Sequence, residues 1–247
     1  MYIFGDIGNS ETKVFLVNSK NKIIRNTNFS SKKMNDKVLN QKFRYLVRDF
    51  KSINKILFCS VVPKSFNLIK KFLSKKIKKR CYEIKDLKLR QLINIKVNFK
   101  QVGSDRLTNA ISLLNKKDNF IILDFGTATT FDVVLRNRYK GGIIAPGVNL
   151  SLKTLIEKAK LIPNTKLKKI KNIIGKNTQN AVRSGFYWGY QGLIENIINL
   201  IKKKYKKEFK IIFTGGLAHL YKNTIQKKVQ VDKDLTIKGL FKLIDKI

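Results

Sequence analysis

The feature that most constrains the fold is a pattern that occurs twice, 118 residues apart. A short apolar strand ends in Asp-x-Gly, a small polar turn follows, and a second apolar strand continues. The two copies read IFGDIGNSETKVFLV and IILDFGTATTFDVVL, and they place Asp6 on Asp124. The other aligned pairs are Gly8 with Gly126, Asn9 with Thr127, and Thr12 with Thr130. A repeat of this kind predicts two similar structural units.

The order of predicted elements is also similar in the two halves. Strands come first, and strands then alternate with helices, which is typical of an α/β protein with a mixed sheet. Apolar periodicity predicts helices over 36–51, 64–79, 149–160 and 180–204, and another that begins at Ser104 or Asp105. We therefore predict two domains, residues 1–116 and 117–247.

Length and apolar runs limit the class of protein. The 247 residues suffice for one large or two smaller packed domains. No apolar run reaches the 18 or more residues that a membrane helix needs, and the first residues lack a basic signal-peptide start. We expect a cytoplasmic protein. Cys59 and Cys81 form no metal or disulfide framework, and a structural role is expected for each.

The formal net charge is +37, which raises the question of nucleic-acid binding. Only nine of the 53 basic residues are arginine, the residue that dominates base-edge and bidentate phosphate recognition. Lysine runs at 75–80 and 202–207 also fit solvated helix faces or ends. We attribute the charge to compositional drift. Weak, non-specific binding to polyanions is expected in either case.

The repeated turn has a chemistry suited to phosphate. Glycine allows close backbone approach, and turn N–H groups with hydroxyl or amide side chains can donate to phosphate oxygens. A strand-end aspartate can bind a cation that neutralises phosphate charge. Two such hairpins facing each other would hold a nucleotide between two domains. The alternative is an ordinary hairpin with a turn-forming aspartate, but two matching copies favour the phosphate interpretation.

Three further segments fit a phosphate or anion site. FKQVGSDRLTNA places Gly103, Asp105 and Arg106 at a helix start, which attracts anions, although Asp105 could be a plain N-cap. IIFTGGLAHL ends a strand in a glycine pair, where backbone could pack against a flat base. GGIIAPG most simply supplies turn residues. His219, the single histidine, is not expected to act as a base.

In this order, the motifs DIGNSETK, SVVP, VGSDR, DFGTATT, GGIIAPG, NTQNAVRSGFYWG and TGG resemble those of type III pantothenate kinases. That family belongs to the acetate kinase/hexokinase/Hsp70/actin-like superfamily, and the resemblance covers nearly the whole chain. It implies two duplicated ribonuclease H-like (actin-like ATPase) domains, each a mixed sheet flanked by helices. It also implies a homodimer with the active site at the subunit interface, and phosphorylation of pantothenate by ATP as the first step of coenzyme A biosynthesis.

The resemblance also implies roles for particular residues. Asp105 is the proton acceptor, and Asp124 binds a monovalent cation, K⁺ or NH₄⁺; Mg²⁺ accompanies ATP. The residues implied to bind ATP are Asp6, Ile7, Gly8, Asn9, Ser10, Glu11, Thr12, Lys13, Thr127, Gly215 and Gly216. The residues implied to bind pantothenate are Gly103, Ser104, Asp105, Arg106 and Thr178.

The chain departs from the family pattern in two places. Ser10 replaces a threonine but keeps the hydroxyl. Residues 96–99 read KVNF, where the family has a tyrosine and then Asn-Pro, so one substrate contact differs. Three rival hypotheses stay open: a non-catalytic transcriptional accessory protein on the same scaffold, a polyanion-binding protein, and a kinase of another small alcohol.

Overall fold

A computed structural model describes residues 1–226 and 228–247. The strands are β1 Tyr2–Ile7, β2 Glu11–Val17, β3 Ile23–Ser30, β4 Lys55–Ser60, β5 Cys81–Glu83, β6 Asn94–Ile95, β7 Asn119–Phe125, β8 Ala128–Leu135, β9 Arg138–Pro146, β10 Lys210–Gly215 and β11 Val229–Val231. The α-helices are α1 Asp36–Leu46, α2 Pro63–Ser74, α3 Ser104–Ser112, α4 Val148–Lys158, α5 Thr178–Tyr205, α6 Ala218–Tyr221 and α7 Leu235–Leu243. Within the described residues, no helix has the length and apolarity needed to span a bilayer.

The chain divides into two compact units. The first comprises Met1–Leu114, Asn137–Tyr139 and Asp234–Ile247, and the second comprises Asn115–Arg136 and Lys140–Lys233. The end of the chain, including α7, therefore lies in the first unit. The domain boundary predicted between residues 116 and 117 stays a prediction.

The sheet of the first unit has the strand order β3-β2-β1-β4-β5. Strand β2 is antiparallel to both β1 and β3, whereas β1, β4 and β5 run parallel. Leu39 and Phe43 of α1 and Ile69 of α2 belong to the same buried cluster as Ile3 and Phe58 of the sheet. The carboxyl ends of β1, β4 and β5 consequently meet at one edge, where ligands bind in many α/β sheets.

The sheet of the second unit repeats this order, since β9-β8-β7-β10-β11 corresponds strand by strand to β3-β2-β1-β4-β5. Again the central strand, β7, has an antiparallel partner in β8 and a parallel partner in β10. Arg138 and Tyr139, at the start of β9, belong to the first unit and pair there with β6. The predicted class, two mixed sheets flanked by helices, is confirmed.

The turns of the two repeated hairpins differ in length by one residue. This difference corrects part of the alignment made from the sequence. In the first hairpin Asp6 pairs with Lys13, and the Gly8 N–H donates to the Glu11 carbonyl at 3.0 Å. In the second hairpin Asp124 pairs with Thr130 because its turn is one residue shorter. Thr130 is therefore equivalent to Lys13 rather than to Thr12.

The predicted helices exist, but α1 and α2 each end five residues earlier than expected, and α4 ends two residues earlier. Helix α1 stops at Leu46, and a separate 3₁₀ turn, Phe50–Ser52, is capped by the side chain of Asp49. Helix α2 begins at Pro63, a residue favoured at a first helical position, and ends at Ser74 before the lysine run. Apolar residues continue at helical spacing beyond the ends of α1 and α2, so their periodicity overestimated the lengths of these two helices.

Helix α7 packs closely on α3 within the first unit. A Cβ built on Gly239 would lie 2.2 Å from the Thr108 carbonyl oxygen, so only glycine allows this approach. The Thr236 hydroxyl donates to the Asn109 side-chain oxygen at 2.8 Å. The last helix thereby holds α3, which carries the VGSDR motif.

Candidate functional site

Three carboxylates from three elements lie near enough to Cys59 in the first unit to act on its thiol electrostatically. Asp6 of β1 lies beside Cys59 of β4 in the parallel register. Burial is the largest cause of the raised pKa of the Cys59 thiol, and the negative charges of Asp6, Asp105 and Glu83 raise it further. A carboxylate cluster therefore occupies the sheet edge where β1, β4 and β5 end.

Asp105 is the second residue of α3 and not its N-cap. Gly103 holds the cap position and supplies no side-chain hydrogen bond. The Arg106 backbone N–H donates to Asp105 Oδ1 at 2.8 Å, and a Cβ on Gly103 would lie 2.4 Å from that oxygen. The N-cap alternative is therefore wrong. A larger residue at position 103 would displace the Asp105 carboxylate from this position.

The first hairpin turn combines exposed and buried residues. Asn9, Ser10 and Lys13 are exposed, whereas Ile7 and Thr12 are completely buried. The Thr12 hydroxyl is hydrogen-bonded to the Ser31 hydroxyl at 2.8 Å. Of the eight residues predicted here, Ile7 and Thr12 can therefore offer a ligand only their main chain.

Lys13 lies opposite Asp6 in the β1–β2 register, so the two side chains emerge on the same face of the sheet. The Lys13 ammonium is 3.7 Å from the Glu11 carboxylate, and both side chains are about half exposed. Exposed ion pairs of this kind contribute about 0–1 kcal/mol. Lys13 can exchange Glu11 for another anion at small cost.

The second unit places Asp124 against the TGG segment. Asp124 lies beside Thr214 in the parallel β7–β10 register. Gly215 has φ of +86°, and a Cβ built on it would lie 2.6 Å from Asp124 Oδ1 and from the Phe125 nitrogen. The next residue, Gly216, donates its N–H to the Phe125 carbonyl at 3.1 Å. The structure thus brings together three predicted residues: Asp124, Gly215 and Gly216.

The turn after β7 packs on the start of α4. Gly126 and Thr127 form this turn and are exposed. A Cβ on Gly147, the N-cap of α4, would lie 2.1 Å from the Thr127 carbonyl oxygen. The sequence interpretation treated Gly147 as an ordinary turn residue. Its actual role is to let a helix N-terminus approach the turn that carries Thr127.

Two other residues missed by the sequence interpretation lie in the first unit. Glu83 joins the carboxylate cluster, but its segment, CYEI at residues 81–84, predicts only a short strand, and no sequence signal marked Glu83 as functional. Phe99, in the segment that departs from the family pattern, has the cations of Lys85 and Arg90 at 5.7 and 5.9 Å from its ring. These distances are within the range of cation–π attraction.

Thr178 is the first residue of α5, in the second unit. The other residues predicted to bind pantothenate, Gly103–Arg106, lie in the first unit. Asn177 caps α5 by accepting the Asn180 N–H at 2.9 Å. His219, on α6, is exposed. Cys59 and Cys81 are both buried and unpaired by disulfides, and burial raises the pKa of Cys81 to about 12.

Solved structures are similar to this chain in fold. A Campylobacter jejuni protein described as a Baf family transcriptional activator is 19% identical, with a TM-score of 0.64, and covers 98% of this chain and 97% of its own. The ethanolamine utilization protein EutJ of Carboxydothermus hydrogenoformans is 13% identical, with a TM-score of 0.56, and covers 96% and 87%. At these identities the likeness concerns the fold alone.

Relatives found by sequence share a much higher identity with this chain than these solved structures do. A type III pantothenate kinase of Pelagibacter ubique (strain HTCC1062) is 61% identical over 242 residues, 98% of each chain. Another, from Sulfurihydrogenibium sp. (strain YO3AOP1), is 36% identical over 248 residues, again 98% of each. The family model described as type III pantothenate kinase matches residues 2–200. These matches, together with the motifs at the strand ends of both sheets, show that the chain belongs to the type III pantothenate kinase family.

Proposed function

We propose that this protein transfers the terminal phosphoryl group of ATP to pantothenate in the cytoplasm, giving 4′-phosphopantothenate, the first step of coenzyme A biosynthesis. The observation that carries the proposal, beside family membership, is the position of Asp105. Its carboxylate lies at the start of α3, among the carboxylates at the edge of the first sheet. A proton acceptor at such an edge suits transfer to an alcohol.

The two hairpin turns are assigned to ATP. The exposed Asn9 and Ser10 can donate to phosphate oxygens, and Lys13 can pair with phosphate charge. In the second unit, Thr127 is assigned to a phosphate, and the Gly215–Gly216 backbone to the adenosine. Asp6 is assigned to the Mg²⁺ that accompanies ATP, since carboxylates are common Mg²⁺ ligands.

The acceptor site is assigned to the start of α3. Asp105 would take the proton of the primary alcohol of pantothenate as the phosphoryl group arrives. Arg106 is suited to a polar or anionic part of the substrate. Thr178 is also assigned to pantothenate. The cations of Lys85 and Arg90, held around Phe99, offer positive charge near the segment where the usual tyrosine is missing.

Asp124 is assigned to a monovalent cation, K⁺ or NH₄⁺. Among the described residues, no three His, Cys, Asp or Glu side chains form a metal-binding group. A cation at Asp124 would therefore also need main-chain or hydroxyl oxygens. Phe125 follows Asp124 in β7, and Thr214 pairs with Asp124 in the parallel register; both residues carry oxygens of this hard type, so the donor set fits. Such a cation would offset phosphate charge.

A homodimer is proposed from one face of α5. Gly185, Gly189 and Gly192 lie along this face, and a Cβ on any of them would meet no atom within 4 Å among the described residues. Each glycine costs a helix about 1 kcal/mol relative to alanine, so the stripe needs another explanation, and close approach of a second copy supplies one. Elsewhere in the second unit large apolar side chains are exposed: Ile143, Ile144, Leu150, Leu155, Leu161, Ile173 and Ile174.

Replacing Gly189 by tryptophan is expected to convert the dimer into a monomer, because the indole would fill the space that the partner helix needs. Light scattering coupled to size-exclusion chromatography would measure the mass at micromolar concentration. Gln41→Trp, on the exposed face of α1, is the matched control and should stay dimeric. A dimeric Gly189→Trp variant would exclude this face as the interface.

The proposed reaction is tested by coupling ADP release to a spectrophotometric assay with ATP, Mg²⁺ and K⁺. We expect turnover with pantothenate and at least tenfold less with other small alcohols. A preference for another alcohol would support the related-kinase hypothesis. No turnover with any alcohol, together with polyanion binding that falls steeply with salt, would support a non-catalytic role.

A further inference from the structure

Glu83 accepts hydrogen bonds from its own turn and from two distant segments of the first unit. Its Oε1 accepts the Ser60 backbone N–H at 3.2 Å, at the end of β4. Its Oε2 accepts the Lys85 N–H at 2.7 Å, in the turn that follows β5. The Ser104 side chain, at the start of α3, is hydrogen-bonded to the same carboxylate. One side chain therefore ties two strand ends to one helix start.

Ser104 immediately precedes Asp105, so the contact between Glu83 and Ser104 lies at the start of α3, the helix that carries the proposed base. The N-cap residue of α3, Gly103, supplies no side-chain hydrogen bond. Ser104 is only 2% exposed, and its carbonyl accepts the Thr108 hydroxyl at 2.8 Å. Described contacts on both sides of Ser104 thus set where α3 begins. A negative charge near a helix N-terminus is also favourable.

The placement of Glu83 carries an electrostatic cost, although its side chain also caps the 3₁₀ turn Ile84–Asp86. Desolvation by burial is the largest influence on its carboxyl group and raises its pKa, while the hydrogen bonds from Ser104, Lys85 and Ser60 oppose the rise. Its negative charge also lies in the same cluster as those of Asp6 and Asp105 around Cys59. An uncharged side chain at this position would avoid both costs.

We infer that Glu83 is a positioning residue for the phosphoryl transfer: through Ser104 it holds Asp105 and Arg106 at a set distance from the end of β4. The inference rests on the proposed kinase function. Positioning matters because a displacement of about 1 Å in a catalytic group can lower the rate by about 100-fold. The length of the glutamate side chain also matters for this role, since its carboxylate must reach three donors at once.

The test is steady-state kinetics of the Glu83→Gln variant with pantothenate and ATP. The amide keeps the size of the side chain, but its NH₂ group cannot accept a second backbone N–H. We expect kcat per folded molecule to fall by about 10- to 100-fold, with KM for ATP within about twofold of the wild type. Glu83→Asp keeps the carboxylate and should recover part of kcat. Glu157→Gln, which removes an exposed carboxylate on α4, is the matched control and should leave kcat unchanged.

A double-mutant cycle separates positioning from simple stability. Ser104→Ala removes one donor without adding a mismatched amide, and its effect on kcat should be largely absent in the Glu83→Gln background. Additive effects, or normal kcat in folded Glu83→Gln protein, would overturn the inference. A wild-type protein without pantothenate kinase activity would instead overturn the proposed function. In that case, the effect of Glu83→Gln is measured on whichever alcohol supports turnover.

Discussion

Replacing Asp105 by asparagine is expected to lower kcat for pantothenate phosphorylation by about 10²- to 10⁴-fold, the usual contribution of a positioned general base. The amide cannot take the proton of the substrate alcohol, although it fills the same space beside Gly103. ATP binding should change little, since the residues assigned to the nucleotide lie on the two hairpins and at the end of β10, outside α3. Isothermal titration calorimetry with a non-hydrolysable ATP analogue would measure the nucleotide affinity of the variant.

The control for Asp105→Asn is Asp36→Asn. Both aspartates lie in the first turn of a helix, so both variants lose the same favourable interaction with a helix N-terminus. Only the Asp105 variant should lose turnover, and both should unfold at temperatures within a few degrees of the wild type. Full activity of Asp105→Asn would remove this residue from the role of base.

Replacing Gly215 by alanine is expected to destabilise the second unit by about 2–4 kcal/mol. A non-glycine residue at a φ of +86° costs about 1–3 kcal/mol. The new methyl group would also press on Asp124 Oδ1 and on the Phe125 nitrogen and oxygen, at 2.6–2.7 Å. Relief of those contacts requires movement of Asp124 or of the β10 end, so ATP affinity should fall at least tenfold.

Gly216→Ala provides the matched control for stability. A Cβ on Gly216 would meet no atom within 4 Å among the described residues, and its φ is not in the left-handed region. Urea denaturation should therefore show a small change for Gly216→Ala and a large one for Gly215→Ala. Equal midpoints for the two variants would contradict the steric account of Gly215.

The duplicated turn shows how far sequence reasoning reached within the fold. The Asp-x-Gly repeat identified Asp6 and Asp124 as equivalent strand-end residues, and both lie at the ends of central strands. Thr130 was paired with the wrong residue, because an alignment with constant offset cannot detect a turn shortened by one residue. The ends of two helices were also predicted wrongly. Helix α2, for example, stops at Ser74, although apolar residues continue at helical spacing beyond it.

The site was predicted where residues share a motif and missed where distant segments meet. Gly103 and Asp105 are neighbours in sequence, so the motif identified both. Glu83 is joined to Ser60 and Ser104 by hydrogen bonds that span more than 20 residues, and nothing in CYEI signals them. Gly147 was recognised only as a turn former, since its contact with Thr127 depends on how α4 packs.

The sequence by itself determined the class of fold, the two repeated strand-turn-strand units and the family. These follow from local properties: apolar periodicity, turn-forming residues, and short motifs in a given order. Only the tertiary structure decided that α7 packs on α3, that Gly215 must remain glycine, and that Glu83 ties the start of α3 to β4. Those depend on close packing and hydrogen bonds between segments far apart in the chain, and local patterns carry no record of such contacts.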